Sequence, residues 1–359
     1  MHLGKLKLRD FRNIRRLDIA FEPGFHVLLG LNAQGKTNLL EAVYLLATLR
    51  SFRGVGNAQI IRHGQKAFFA GGLSLGQAES DIRYYWSTAQ RKLTVNEKPM
   101  RRVADYLGTL RTVVFCTEDA LLVIGPAKAR RRFLDLLLTQ TQPGYLERLH
   151  RYTEALRSRN ALLKRDSPDL ALLDSFTREL LVNGEKLITA RRDLVKELSP
   201  LIRLSYRKIA AKPENASIAY APSVREDFAV DLAKSKAREL RYRTTLVGPH
   251  RDELTLNLDG QAAAQFASEG QKRTFAIALK MAQTDFLGGI HGSPPILLID
   301  DVMGELDVGR RAGLMPLISR TGQALGQVFM TRTEENWPGE LSGNLHRWQV
   351  KQGSLKRVS

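Results

Sequence analysis

An eight-residue stretch near the N-terminus has the composition and spacing of a phosphate-binding loop. It matches the pattern G-x-x-x-x-G-K-[ST] and reads Gly30, Leu31, Asn32, Ala33, Gln34, Gly35, Lys36, Thr37. An apolar strand pattern precedes it and a helical pattern that includes Asn38 follows it. In such a loop, backbone N–H groups point at phosphates, the lysine reaches the β and γ phosphates, and the threonine hydroxyl binds Mg²⁺. The sequence therefore predicts a nucleotide site at residues 30–38; the alternative is a glycine turn that caps a helix.

Two adjacent carboxylates follow an apolar run in the stretch "PILLIDDVMGELD". A phosphate loop needs a second carboxylate on the metal side at the end of a neighbouring strand. We expect Asp300 to hold Mg²⁺, directly or through water, together with Thr37. Asp301 could orient or deprotonate the water that attacks the γ phosphate. A plain turn at a strand end is the alternative, but with the phosphate loop both halves of one Mg²⁺-nucleotide site are present.

A third stretch, "SEGQ" at 268–271, begins a helical pattern. Ser268 occupies an N-cap position, and Gln271 follows three residues later as in a capping box. A helix N-terminus is also an anion site. The local pattern alone leaves open whether these residues only cap a helix or also bind a phosphate.

The elements that position these residues change character along the chain. Residues 1–50 have a strand, strand, loop, helix pattern, and 60–118 have the alternation of antiparallel strands. Residues 128–212 have long helical patterns with breaks at 143–144, 167–168, 183–184 and near 200. The region after 243 alternates strands and helices.

This order predicts an α/β fold with an α+β N-terminal portion and an inserted, all-helical second lobe. We expect residues 1–120 and 243–359 to form one discontinuous domain. Residues 121–242 would form the mainly helical insertion, with helices of about 25 to 45 Å at 1.5 Å per residue.

Charge and cysteine content limit the classes of partner and compartment. The 55 basic and 37 acidic residues give a net charge of 55 − 37 = +18, which favours a polyanion, with nucleic acid ahead of an anionic membrane surface. The single cysteine, Cys116, cannot form an intrachain disulfide, so we expect a buried structural thiol. The N-terminus lacks a signal-peptide pattern, and no apolar run approaches the roughly 20 residues of a membrane span. These features favour a cytoplasmic protein.

Several stretches together resemble a known family. "FRN", "GLNAQGKTNLLEA", "SEGQ", "LLIDD" and "ELD" resemble the ATPase heads of the ABC superfamily, on the branch with SMC proteins and DNA-repair ATPases. "GPAKARRRFLD", "LVGPHRDEL" and "FASEGQKRT" narrow the resemblance to the RecF family of bacterial recombination mediators. The order of the motifs agrees over essentially the whole chain.

The resemblance implies an ABC-type head that binds ATP and Mg²⁺ and closes as an ATP-dependent homodimer. Ser268, Gly270 and Gln271 would form the signature loop, so that Ser268 and the amide of Gly270 complete a site begun by Lys36 of the partner subunit. "ELD" at 305–307 would be the D-loop at the same interface.

The implied role is sequence-independent binding of DNA, single-stranded or duplex, at gaps or junctions. It lies in DNA repair, replication and recombination linked to the SOS response. RecR and RecO are the implied partners in loading a recombinase, and slow ATP hydrolysis would act as a switch.

The sequence departs from the wider ABC pattern at several positions. Ala33 stands where many relatives have glycine, which is harmless only if its φ is negative. The usual switch histidine is absent after "QVFMT", which leaves Thr331, Arg332 or Thr333 to sense the γ phosphate. The usual Q-loop glutamine is also absent, which leaves Thr117, Glu118 or Asp119 as its replacement.

Two further stretches have open interpretations. His250, Arg251 and Asp252 in "GPHRD" could form a buried polar network around a turn. Alternatively, Arg251 or His250 could couple the nucleotide state to the dimer interface. "ARRRFLD" could be a solvated helix start or a patch that contacts phosphates.

Other functional classes share some of these motifs. A transporter ATPase subunit would contain all of them, but the positive charge and the long helical insertion argue against it. A small-molecule kinase would explain Lys36 and Asp300 but would give no role to the signature loop. An SMC-like structural ATPase usually has far longer coiled-coil arms.

Overall fold

Strands from the N-terminal and the C-terminal parts of the chain come together in one largely parallel sheet. The computed structural model describes residues 1–76, 78–210, 212–323, 326–333 and 345–358, with backbone alone for 305 and 320–323. Its strands are β1 (His2–Phe11), β2 (Ile14–Ala20), β3 (Gly24–Leu29), β4 (Ala67–Leu75), β5 (Ser80–Ser87), β6 (Arg91–Val95), β7 (Lys98–Pro99), β8 (Thr112–Phe115), β9 (Ala216–Ala221), β10 (Glu253–Leu258), β11 (Gln261–Ala262), β12 (Ile296–Asp300), β13 (Gln327–Arg332), β14 (Leu345–Lys351) and β15 (Ser354–Arg357).

The helices concentrate between β8 and β13. They are α1 (Lys36–Thr48), α2 (Val103–Tyr106), α3 (Leu121–Ile124), α4 (Ala127–Thr141), α5 (Tyr145–Leu163), α6 (Leu170–Ile209), α7 (Phe228–Tyr242), α8 (Ala263–Phe266), α9 (Glu269–His291) and α10 (Val308–Gln323). None of the helices in the described ranges combines the length and apolar composition of a membrane span.

Two compact units divide the chain. The first comprises Met1–Ala120, Ser205–Pro213 and Glu269–Ser359, and the second comprises Leu121–Leu204 and Glu214–Ser268. The first unit contains two sheets. One is antiparallel, with the order β2-β1-β4-β5-β6-β7, and the other has the order β15-β14-β3-β13-β12-β8, with parallel pairing from β14 to β8.

The core of the first unit lies around α1. Leu39, Leu40, Val43 and Leu46 of this helix are buried, together with apolar side chains of β1, β4 and β12. The predicted strand, loop and helix at residues 24–48 are therefore confirmed as elements, as is the antiparallel section after residue 60.

The second unit is not all-helical, and its boundary differs from the predicted one. The stretch "ELTLNL" is a strand, β10, as expected, but it pairs antiparallel with β9 and β11 and not with the parallel sheet. Residues 243–268 therefore belong to the second unit and 205–213 to the first. The burial alternation of β10 identifies a strand with one buried face, but it does not identify the strand's partner.

Helix α6 runs without interruption through two positions at which breaks are expected. It includes Gly184 and Pro200, and its 40 residues give a length of about 60 Å at 1.5 Å per residue. The expected limit of 45 Å is therefore wrong. Buried leucines recur every seven residues along it, at Leu173, Leu180, Leu187 and Leu194, and this apolar stripe outweighs the unfavourable propensities of glycine and proline.

Candidate nucleotide-binding site

The phosphate loop joins β3 to α1, and several of its residues have positive φ values, which glycine adopts more easily than other residues. Gly30 and Gly35 have φ values of 153° and 112°. A Cβ at Gly30 would lie 2.4 Å from the carbonyl oxygen of Val350, so this position also has no room for a side chain. Ala33 has φ 63°, which contradicts the negative value expected for it. A left-handed backbone costs an L-residue about 1–2 kcal/mol, so Ala33 introduces strain into the loop.

Lys36, the first residue of α1, turns back over the loop. Its Nζ donates hydrogen bonds to the carbonyl oxygens of Gly30 at 2.5 Å and Leu31 at 2.9 Å. Burial lowers the pKa of the ammonium, and the charges of Asp301 and Asp300 oppose that shift. The ammonium thus lies on the concave side of the loop, where phosphate oxygens could replace the two carbonyls as acceptors.

Thr37 and Asp300 meet at the carboxyl ends of the strands, although 263 positions separate them. Thr37 Oγ1 donates to Asp300 Oδ1 at 2.9 Å, and Thr331 Oγ1 donates to the same oxygen at 2.9 Å. Burial raises the pKa of Asp300, while these two hydrogen bonds oppose the shift. A hydroxyl and a carboxylate next to a phosphate loop are the donor set that Mg²⁺ uses with a nucleotide, so the residues present fit this ion.

Asp301 and Thr331 flank this pair. Asp301 is exposed, its φ is 57°, and its backbone N–H donates to Thr331 Oγ1 at 3.0 Å. Among the three residues considered as replacements for the switch histidine, Thr331 is therefore the one whose hydroxyl bridges Asp300 and Asp301. Thr333 is exposed beyond the end of β13.

Two segments that are distant in sequence hold the loop in place, and only one of them lies in a stretch that the sequence marks as a motif. Asn13 Nδ2 donates to the carbonyl oxygen of Gln34 at 3.1 Å, and Asn13 Oδ1 accepts from Asn38 Nδ2 at 2.9 Å. The turn between β14 and β15 binds the same residue, because the backbone N–H groups of Gln352 and Gly353 donate to Gln34, each at 2.8 Å. Asn13 lies in the "FRN" stretch, which the sequence marks as a motif. No sequence motif marks the C-terminal turn.

A further cation near the site was also missed. Arg53 Nη1 lies 3.3 Å from Asn38 Oδ1 and 4.0 Å from an oxygen of the fully buried Glu41, which a bidentate pair with Arg12 holds. Burial raises the pKa of Asp300, and the charge of Arg53 opposes that rise. No local motif marks Arg53, since its position depends on the loop after α1.

The signature stretch begins α9. Ser268 is exposed and directly precedes Glu269, the first residue of the helix. The Gly270 carbonyl accepts from Thr274 Oγ1 at 2.8 Å, and Arg310 Nε donates to that hydroxyl at 2.8 Å. A Cβ at Gly270 would lie 2.8 Å from Arg310 Nη1, so glycine is required if the guanidinium keeps this position.

The same arginine joins this helix start to the predicted D-loop. Arg310 forms an ion pair with Asp307, and its backbone N–H donates to Asp307 Oδ1 at 2.9 Å at the start of α10. The side chain of Glu305 lies outside the described residues. Gly270 and Asp307, from the two predicted interface motifs, therefore contact one cation.

The residues considered for the Q-loop lie in different environments. Asp119 accepts from the Cys116 backbone N–H at 2.9 Å and lies 3.3 Å from Lys280 Nζ. Thr117 and Glu118 are exposed. Cys116 is buried as expected, and burial raises the pKa of its thiol. Asp119 is thus held by a buried cation, whereas Thr117 and Glu118 remain the accessible members of the group.

The "GPHRD" stretch forms the buried network that was one of its two interpretations. Asp252 is fully buried, accepts from the Ser223 backbone N–H at 2.8 Å and from the Tyr220 hydroxyl, and lies 3.8 Å from Arg191. His250 Nδ1 lies 2.6 Å from the Tyr152 hydroxyl. Arg251 in the same stretch is exposed and donates to the Thr245 carbonyl at 3.3 Å.

The arginines of "ARRRFLD" are mostly engaged within the second unit. Arg130 forms a bidentate pair with Glu253 at 2.7 and 2.8 Å, and Arg131 donates to the Asp252 carbonyl at 2.6 Å. Arg132 is exposed. Two of the three cations therefore support the β10 strand, which weakens the interpretation of this stretch as a phosphate-contacting patch.

Comparison with known proteins places this site in a family. The profile of the RecF/RecN/SMC N terminal domain matches residues 2–352. DNA replication and repair protein RecF of Geobacter metallireducens is 37% identical over 93% of both chains, and that of Symbiobacterium thermophilum is 37% identical over 99% of this chain and 98% of its own. The chain belongs to the RecF family of DNA replication and repair proteins.

Solved structures agree with this assignment. The recombination mediator protein RecF in complex with ATP, described within the RecFOR pathway, superposes with a TM-score of 0.89 at 29% identity and covers 100% of this chain and 98% of its own. The Smc head domain of Pyrococcus furiosus has a TM-score of 0.59 at 15% identity, which shows a shared fold alone. The chain is therefore an ATP-binding protein with the ABC-type head fold of the RecF family.

Proposed function

We propose that this RecF-family protein is an ATP-switched DNA-binding protein that closes as a homodimer around two ATP molecules. The observation that carries the proposal is the convergence of Thr37, Asp300 and Thr331 beside the lysine of the phosphate loop. This group supplies one half of a nucleotide site. The head would comprise residues 1–120, 205–213 and 269–359, and residues 121–204 and 214–268 would form the second lobe.

The residues of the loop divide the work of binding. Backbone N–H groups of residues 30–38 would hold the phosphates, Lys36 would bind the β and γ oxygens, and Thr37 and Asp300 would hold Mg²⁺. The ion neutralises phosphate charge when bound.

Hydrolysis would involve the residues at the strand ends. Asp301 would orient or deprotonate the attacking water, and Thr331 would report the γ phosphate to both carboxylates. Slow turnover suits a switch, because the closed state must last long enough to act.

The other half of the site would come from the partner subunit. Ser268, the Gly270 amide and Gln271 begin α9, where a helix N-terminus favours an anion. Arg310, which is paired with Asp307, lies beside Gly270. We therefore propose that these groups complete the site at Lys36 of the partner subunit, and that Asp307 lies at the same interface.

DNA is the proposed substrate of the closed dimer. The net charge of +18 favours phosphate binding that is independent of base sequence and falls steeply with salt. The related solved structure is described within the RecFOR pathway, and we propose RecR and possibly RecO as partners here, in loading a recombinase at gaps or stalled forks. The buried, unpaired Cys116 suits a reducing compartment such as the cytoplasm.

Sedimentation velocity tests this proposal. The protein is run with and without ATP·Mg²⁺, and with duplex, gapped or single-stranded DNA. We expect dimers only with ATP and tighter association when DNA is present. A monomer under all conditions, as for a small-molecule kinase, would refute the proposal, and so would ATP-driven dimers that are indifferent to DNA, as for a transporter subunit.

A further inference from the structure

One face of the antiparallel sheet has the buried leucines. The opposite face has a row of cations and aromatic rings. Cross-strand pairing places five residues side by side in this row: Arg16, Arg9, Phe69, Tyr85 and Lys92. They come from β2, β1, β4, β5 and β6. Adjacent strands lie about 4.8 Å apart, so the row is about 19 Å long. We call these five residues the sheet-face row.

Alternation along the strands fixes which side chains share this face. Leu6 and Leu8 of β1 are buried, whereas Lys7 and Arg9 between and beyond them are exposed. Arg16 and Lys92 are exposed as well, and Phe69 and Tyr85 are half-buried. The Phe69 ring lies over Gly71, because its Cζ is 2.9 Å from where a Cβ of that glycine would be. The two aromatic side chains therefore keep part of their surface in solvent.

The cations of the sheet-face row lack acidic partners. Lys5 and Arg83, elsewhere on the same face, pair with Asp18 at 3.0 Å and Asp81 at 2.6 Å. Among the described residues, Arg9, Arg16 and Lys92 form no ion pair, and neither does Lys7 in the adjacent row. The face thus has uncompensated positive charge on both sides of an aromatic pair.

We propose that the sheet-face row binds nucleic acid at unpaired bases, with phosphates at Arg9, Arg16 and Lys92 and bases stacked on Phe69 and Tyr85. This combination of cations and aromatic faces is what single-stranded nucleic acid requires. A duplex offers phosphates but hides the faces of its bases, and an acidic peptide or an anionic membrane needs only the charges. The inference rests on the DNA binding proposed above and specifies the kind of DNA.

Fluorescence anisotropy with labelled DNA tests the inference. One sequence is prepared as a single strand, a duplex and a gapped duplex, each titrated with protein and ATP·Mg²⁺ over a salt series. Tyr85→Ser should lower affinity for the single strand and the gapped duplex by about 5- to 150-fold, as expected for one lost stacking contact, and should leave the plain duplex unchanged. Lys92→Glu should weaken binding of the single strand and the gapped duplex and reduce the salt dependence by about one phosphate contact.

Lys98→Glu is the matched control. Lys98 is an exposed lysine of the same sheet, but it pairs with Val95, whose other partner is the buried Ile82, and so lies on the opposite face. The variant should bind all three DNAs like the wild type. Unchanged ATP binding and melting temperature confirm that each variant is folded.

The outcomes separate this inference from the proposed function. If the wild type binds no DNA, the proposed function fails. A second outcome is that the wild type binds DNA while Tyr85→Ser keeps the wild-type affinity for all three DNAs, or loses affinity for all three by the same factor. In either case the stacking assignment fails and the proposed function stands. Equal losses for Lys92→Glu and Lys98→Glu would show a diffuse charge effect and overturn the assignment of the face.

Discussion

Ala33 places a side chain where the phosphate loop takes a left-handed turn. Its φ of 63° is one that glycine adopts freely and alanine adopts at a cost. We expect Ala33→Gly to raise the free energy of unfolding by up to about 1 kcal/mol, because relief of the strain exceeds the added chain entropy. Thermal and urea unfolding measure this change. Gly35→Ala is the matched opposite and should destabilise, because its Cβ would lie 2.8 Å from the Asn13 amide. Destabilisation by Ala33→Gly would contradict the strain argument.

Thr331 tests the assignment of the switch position. Thr331→Val removes the hydroxyl that contacts Asp300 and the Asp301 backbone N–H. A hydrogen bond to a charged group contributes about 1.5–3 kcal/mol, so we expect hydrolysis to slow about tenfold or more, with little change in ATP affinity. Single-turnover hydrolysis and ATP titration give the two quantities. Thr333→Val changes an exposed neighbour and serves as control; equal effects of the two variants would remove Thr331 from its role.

At this scale the sequence predicts the residues that a local pattern encodes. Lys36 and Thr37 follow from the loop motif, and Asp300 follows from the apolar run that precedes it. The choice of Thr331 over its neighbours depends on the register Asp300 to Thr331 between two strands 31 positions apart. The backbone of Ala33 and the contact of Val350 with Gly30 likewise depend on distant segments.

At the scale of elements, α6 shows how packing overrides propensity. Gly184 lies in this helix with Phe228 Cε1 2.5 Å from where its Cβ would be. Alanine is the better helix former by about 1 kcal/mol, but the clash should cost about 1–3 kcal/mol, so Gly184→Ala should destabilise. Gly289→Ala in α9 has open space and should stabilise by up to about 1 kcal/mol. Urea unfolding measures the stability of both variants. Equal stabilisation by the two substitutions would show that Phe228 moves away at little cost in free energy.

The strands β3, β13 and β14 enclose a histidine that should remain neutral. Trp348 Nε1 donates to His26 Nδ1 at 3.0 Å, and the ring stacks on Phe329 and His346. The proton therefore lies on Nε2, 2.8 Å from the Glu22 carbonyl. Burial is the main cause that lowers the pKa of His26 to about 3.

A lowered pKa has a defined consequence for stability. Above pH 6.5, the pKa of the ring in the unfolded chain, the ring is neutral in both the folded and the unfolded chain. Below that pH the unfolded chain binds a proton at this ring and the folded chain does not. Because of His26, we expect the free energy of unfolding to fall by about 1.4 kcal/mol for each unit by which the pH decreases between about pH 6.5 and 3. Histidine NMR titration should show no change of the His26 ring between about pH 5 and 8. A titration midpoint of His26 within that range would contradict the buried, neutral assignment.

Element type was more predictable than element partnership. The alternation in "ELTLNL" correctly predicts a strand, but its pairing with β9 is a contact between segments about 40 residues apart, which no local pattern encodes. The continuous α6 was missed because Gly184 and Pro200 are helix breakers by propensity, whereas the heptad of buried leucines extends across both.

At the scale of the whole molecule, we propose that two chains make each ATP site. The sequence indicates this only through resemblance, because one chain contains a phosphate loop and a signature loop but no pattern that says whether they meet in one subunit. Ser268 is exposed at the start of α9, and Lys36 lies beside Asp300 and Asp301. If the site is shared, damage to Ser268 and damage to Lys36 fall on opposite sides of one interface.

Complementation of two variants tests this claim most directly. Lys36→Ala should lose ATP binding, and Ser268→Arg should bind ATP but fail to dimerise. A mixture should form heterodimers, because Lys36 of the Ser268→Arg chain and Ser268 of the Lys36→Ala chain rebuild one intact site. Sedimentation velocity with ATP·Mg²⁺ and one labelled variant should therefore show dimer in the mixture but not in either variant alone. A mixture that stays monomeric, or a Ser268→Arg variant that dimerises by itself, would contradict the shared site.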